Sequence, residues 1–173
     1  METSLAFLGL VEAREGHGYE LKRRYDELFG QEKPLAFGQV YATLARLVRD
    51  GLIEMAGVED GAGPARKHYR GLPEGRARVR EWLMSPDVDA SASRTNLFAK
   101  VVIALLLGED AGRVLDIQRS ALLAQMRALT KAKRDAVLLA VLAYDQALLH
   151  TEADLQWIDL AEARLNEVKE ALS

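Results

Sequence analysis

The chain contains no cysteine, which excludes disulfides, thiolate metal sites and a cysteine nucleophile. Its three histidines are scattered, and neither a phosphate-cradling glycine loop nor a nucleophile motif is present. An enzyme is therefore not the reading, and no catalytic residue, metal or cofactor is nominated. His150, Glu152 and Asp154 resemble a metal set only on paper, because spacings of two place them on different sides of a helix. Long apolar runs are also missing. A membrane-spanning helix needs about 18 such residues, and Val101 to Leu107 is far too short. The start, Met1-Glu2-Thr3-Ser4, lacks the basic residues of a secretory signal, so a cytoplasmic protein without a membrane partner is expected. Finally, there is no excess of positive charge: 23 Lys and Arg stand against 26 Asp and Glu. Residues 1–86 are balanced at 13 of each sign, and the remainder carries the net charge of -3. A nucleic-acid partner would require cations gathered on one face, from Lys22, Arg23, Arg24, Arg46, Arg49, Arg66, Lys67 and Arg70.

What is present is 173 residues with 49% hydrophobic content, enough for one compact domain with an extension or for two small ones. The most informative stretch lies between Pro34 and Tyr69. Val40, Leu44, Leu47 and Val48 form the i, i+4, i+7, i+8 stripe of a helix that buries one side. The opposite side carries Gln39, Ala42, Arg46 and Arg49, flanked by Thr43 and Tyr41. Gln can pair with adenine and Arg with guanine or phosphate, while a small Ala lets a helix approach a major groove closely. Asp50-Gly51 ends this helix with a residue suited to a left-handed cap. A strand from Leu52 to Val58, a tip from Glu59 to Pro64 and a basic return strand from Ala65 to Arg70 follow, with Arg66 and Lys67 placed to touch phosphates. A helix followed by such a hairpin is the layout of a winged helix-turn-helix, and its implied partner is double-stranded DNA. A winged helix can also serve as a protein-interaction module without DNA binding, which the acidic balance mildly favours.

Several segments together resemble the PadR family of bacterial transcriptional regulators. They are Leu8-Gly9-Leu10-Val11, His17-Gly18-Tyr19-Glu20-Leu21, Gly38-Gln39-Val40-Tyr41-Ala42-Thr43-Leu44-Ala45-Arg46-Leu47, Asp50-Gly51-Leu52 and Gly63-Pro64-Ala65-Arg66-Lys67-His68-Tyr69, closing with Gly75 and Glu81-Trp82-Leu83. Order and spacing carry the likeness, which covers roughly residues 4–84. A weaker part, Arg94-Thr95-Asn96-Leu97-Phe98-Ala99-Lys100, is similar to the start of the long-helix region in the larger subgroup of that family. The resemblance implies a winged-helix DNA-binding domain, a helical dimerisation domain and repression relieved by a small ligand. It implies that Tyr19 and Tyr41 face phosphates, and it completes a DNA-binding set of Tyr19, Lys22, Gly38, Gln39, Tyr41, Ala42, Thr43, Arg46, Arg66 and Lys67. Where family members have a Leu-Thr pair after the second wing strand, this chain has Gly71-Leu72, so the next helix lacks a capping hydroxyl and begins on Pro73.

The expected fold is mainly α with a small two-stranded β wing: an N-terminal winged helix-turn-helix over 1–84, a linker over 85–93 and a C-terminal α-helical dimerisation domain over 94–173. Helices are expected over Thr3 to Arg14, Gly18 to Phe29, Pro73 to Met84, Thr95 to Leu107, Ala111 to Lys131 and Asp135 to Leu172. Leu115, Leu122 and Leu129 repeat every seven residues, and Ile158, Leu165 and Leu172 lie on a second heptad stripe. About 75 residues in two or three helices would leave an apolar face bare, so a homodimer with these six residues at its seam is expected. Trp82 and Trp157, the only tryptophans, are nominated for a planar small-molecule effector.

Overall fold

In the computed structural model, residues 2–30, 34–59, 66–87 and 90–172 are described. The chain runs α1 (Thr3–Ala13), β1 (Gly16–His17), α2 (Gly18–Phe29), α3 (Phe37–Arg49), β2 (Ile53–Glu59), β3 (Arg66–Gly71), α4 (Pro73–Leu83), α5 (Ala90–Leu107), α6 (Ala111–Lys133) and α7 (Leu138–Leu172). It is mainly helical with one small antiparallel sheet, a winged helix.

Leu5 to Val11 of α1 are buried without interruption, so this helix is apolar on all sides and forms the axis of the N-terminal half. α2 and α3 each bury only one stripe, Leu21 and Tyr25 on the first and Val40, Leu44 and Leu47 on the second. α3 ends as its Asp-Gly pair predicts. Gly51 adopts φ 69, its N–H donates to the carbonyl of Val48, and the N–H of Leu52 donates to the carbonyl of Leu47. This double closure satisfies two carbonyls at the helix end. Leu72 caps α4 without a side-chain bond, and Pro73 opens it.

The wing has three strands rather than the expected two. Their order is β1-β3-β2, with Gly16 opposite Tyr69 and His17 opposite His68. β1 is only two residues long, too short for any alternation in the sequence to reveal. The tip, residues 60–65, lies outside the described residues.

Two further expectations are corrected. α5 begins at Ala90, so the last four residues of the proposed linker over 85–93 are helical. Its described part is also tied down: Asp87 exchanges backbone bonds of 2.8 Å with the side chain of Gln118, accepts from Asn96 and pairs with Lys100 at 2.9 Å. The apolar core runs continuously from α1 through α4 and α5 to Ile158 on α7. α5 lies so close to α1 that a Cβ on Gly9 would come within 2.5 Å of Ile103.

The second correction concerns the seam. Leu115, Leu122 and Ile158 are buried inside the single chain, where α6 and α7 pack as an antiparallel pair. Leu129, Leu165 and Leu172 are half-buried. Arg119 fastens the pair by donating to Asp159 and Glu162 at 2.8 Å each, which holds its guanidinium pKa above the ordinary value. For Leu115, Leu122 and Ile158 the heptads therefore record packing within the protomer. Beyond Leu122 the situation changes: none of residues 123–150 is buried, and Leu138 and Leu139 are 78% and 80% exposed.

Candidate nucleic-acid interface

With Val40, Leu44 and Leu47 turned inward, α3 presents Gly38, Gln39, Tyr41, Ala42, Arg46 and Arg49 to solvent. Space beside Gly38 is open for at least 4 Å around a Cβ position. Gln39 Oε1 accepts from the N–H of Ala36 at 3.2 Å, closing the first turn of the helix. Arg46 Nη2 donates to Ser4 Oγ at 3.2 Å, and Arg49 pairs with Asp50 at 3.1 Å. Thr43 departs from the expectation. It is only 8% exposed, because it stands three residues after Val40 and four before Leu47, on the buried stripe itself. With so little of it at the surface, Thr43 leaves the exposed set.

The N-terminal turns of α2 and α3 meet. A Cβ on Gly18 would lie 2.7 Å from Tyr41, so the glycine makes room for that ring. Tyr19 stacks on Phe37 with centroids 5.9 Å apart and planes 15° from parallel. Lys22 Nζ is 4.9 Å from the centre of the Phe37 ring and forms an ion pair with Asp26. Lys22 is thus held in place rather than extended into solvent. Phe37 was not among the nominated residues. Its position depends on a contact between two helices, which helical periodicity within one segment does not reveal.

On the wing, Lys67 is exposed on β3, whereas the side chain of Arg66 lies outside the described residues. Arg70 is held at the wing base by Glu54, at 2.5 and 3.0 Å, and by Glu15 at 3.8 Å. The hydrogen bond to Glu54 is the main reason its pKa lies above the ordinary arginine value. Arg23 pairs with Glu27 at 3.5 Å, and Arg24 donates to the carbonyl of Leu10 at 3.5 Å. Burial lowers the pKa of Arg24. These contacts explain the neutral charge of the N-terminal half. Carboxylates match the cations that brace the scaffold, while Arg46 on α3 and Lys67 on the wing stand at the outer surface. Burial also raises the phenol pKa of Tyr69, with the nearby Tyr41 adding to it.

The tryptophans lie apart from this face. Trp82 is 4% exposed in the core at the end of α4, with Lys100 Nζ 5.7 Å from its ring centre. Its indole N–H has no acceptor among the described residues. Trp157 is half-buried on α7. Among the described residues no group of three His, Cys, Asp or Glu side chains could hold a metal ion, and no helix is long and apolar enough to cross a membrane.

Residues 7–81 match the model of the transcriptional regulator PadR-like family. A comparison with the curated proteins gives no match. Among solved structures, Bacillus subtilis PadR in complex with operator DNA is similar at 19% identity, covering 91% of this chain and 96% of that one with a TM-score of 0.48. The protein smu.1604c from Streptococcus mutans UA159 is 18% identical, with 94% and 99% covered and a TM-score of 0.46. The PadR-like transcriptional regulator BC1756 from Bacillus cereus is 20% identical, with 99% and 100% covered and a TM-score of 0.40. Residues 7–81, which carry the helix-turn-helix and its wing, are thus the part of the chain that is similar to the PadR-like family of transcriptional regulators.

Proposed function

We propose that the chain is a sequence-specific DNA-binding transcriptional regulator that works as a homodimeric repressor. The observation that supports this most is α3: a well-buried inner stripe fixes it on the domain, and its outer side offers Gln39, Ala42 and Arg46, while the wing carries an exposed Lys67. In this reading the helix enters the major groove, where Gln39 and Arg46 read base edges. Tyr19, Tyr41, Arg66 and Lys67 contact the phosphate backbone, and Gly38 and Ala42 permit close approach. Residues 1–84 act as the DNA-binding unit and 94–173 as the dimerisation unit.

The bare hairpin supports the dimer. α7 has 35 residues, about 50 Å of helix at 1.5 Å per residue, and its first half is tied to the end of α6 by the Lys133–Asp145 ion pair. Val137, Leu138, Leu139, Leu142 and Leu149 form a large exposed apolar surface there, of the kind that marks an interface. A second copy covering this surface would set two recognition helices side by side for two half-sites. Relief by a small effector is supported by the unpartnered indole N–H of Trp82, a buried donor beside the cation of Lys100.

Fluorescence anisotropy on a duplex selected from a random pool tests the function. Binding that weakens steeply with added salt and exceeds binding to a scrambled duplex is expected. Equal, negligible binding to both would instead favour a protein-interaction module.

A further inference from the structure

Phe37 is a bulky apolar residue at the first position of the recognition helix, yet it is 46% exposed. Most large apolar side chains of the N-terminal half are enclosed; of the exposed ones Met55 lies on β2, and Tyr19, Phe37 and Tyr41 are gathered at one place. The two tyrosines each carry a hydroxyl that can donate to a phosphate. Phe37 carries no polar atom, so its exposed portion can gain only from an apolar surface. On the base edges of a major groove that surface is the C5-methyl group of thymine. Residues near the N-terminus of a recognition helix are those that reach base edges, and Phe37 opens α3. Tyr19 lies nearly parallel against the ring, and the Lys22 ammonium is held over it by Asp26, so its orientation is set before DNA arrives. A prearranged ring avoids the ordering cost of a free side chain.

On the footing of the DNA-binding reading above, we propose that Phe37 is a specificity-determining residue that reads thymine through its methyl group. Gln39 and Arg46 select by hydrogen bonds, and Phe37 adds an apolar preference at a neighbouring base pair. Tyr19 and Lys22 act behind it as positioning residues.

The test uses the full chain and a duplex selected from a random pool, with each thymine replaced in turn by uracil, which lacks only the methyl group. The wild type is expected to lose about fourfold in affinity at one thymine per half-site, the ratio given by removing one buried methyl. Phe37→Ala is expected to bind the thymine and uracil duplexes equally at that position. Taking the ratio on one protein sample cancels any difference in the active fraction. A wild type indifferent to every uracil replacement, or a Phe37→Ala variant that keeps the fourfold ratio, overturns the assignment. So does a variant weakened on both duplexes with the ratio intact, which would make Phe37 a support for Tyr19. Failure to select any duplex would be a different result, counting against DNA binding itself.

Discussion

The ammonium of Lys100 is buried beneath the end of α4, where it donates to the carbonyl of Ser85 at 2.7 Å and pairs with Asp87 at 2.9 Å. Removing one member of a buried pair strands the other charge, so Asp87→Ala is expected to cost about 3–5 kcal/mol in urea unfolding. Asp87→Leu combined with Lys100→Met should cost less than Asp87→Ala alone, because no charge is then left without a partner. An Asp87→Ala protein as stable as the parent would show that the pair is not closed in solution. Tyr25 and Tyr69 make a prediction about pH. Burial raises both phenols above their ordinary value of 10.0, so the folded chain holds its protons where the unfolded chain releases them. Stability is therefore unaffected by these groups below about pH 10 and falls as the pH rises above it. Thermal melts of Tyr69→Phe should show a shallower alkaline loss than the parent.

At the scale of the element, the contact of α1 with α5 is governed by Gly9. A methyl there would press on Ile103, so Gly9→Ala is expected to destabilise by about 1–3 kcal/mol, and Ile103→Ala in the same chain should recover part of it. Additive losses in urea melts would contradict that packing. Elements whose signal is local were legible in the sequence: the stripe of α3, the Asp50-Gly51 stop and Pro73 at the start of α4. What escaped depends on distant partners. β1 exists only through Tyr69 and His68, and Asp87 is anchored by Gln118, 31 residues further on. The heptad leucines showed the same limit, since a period tells which residues share a face and not which surface covers it. Thr43 was misplaced for a simpler reason. Its spacing to Val40 and Leu47 places it with the buried residues, whereas it was expected at the flank of the outer face.

For the whole molecule, the division between protomer core and bare hairpin separates two kinds of variant. Leu122→Asp puts a charge into the protomer core and should unfold the chain. Leu138→Asp or Leu142→Asp alters only the exposed tip, and if the proposed dimer forms there, light scattering should show a dimer for the parent and a folded monomer for these variants. A dimer unchanged by both tip variants would move the interface elsewhere. DNA binding should then follow assembly, with the monomeric variants losing most operator affinity because a single recognition helix reads only one half-site. The balanced charge of residues 1–86 points the same way: with so many cations matched by carboxylates, one protomer offers few phosphate contacts and gains by pairing. The central claim is that α3 reads sequence, and the most direct measurement compares Gln39→Ala, Arg46→Ala and Lys67→Ala on a selected duplex and on its single-base variants. The Gln39 and Arg46 variants should lose about 1–3 kcal/mol of discrimination, each at its own base pair. Lys67→Ala should weaken binding to all sequences alike and lower the salt slope by about 1. If Gln39→Ala and Arg46→Ala both discriminate bases as the parent does, α3 is not the reading element and the account fails.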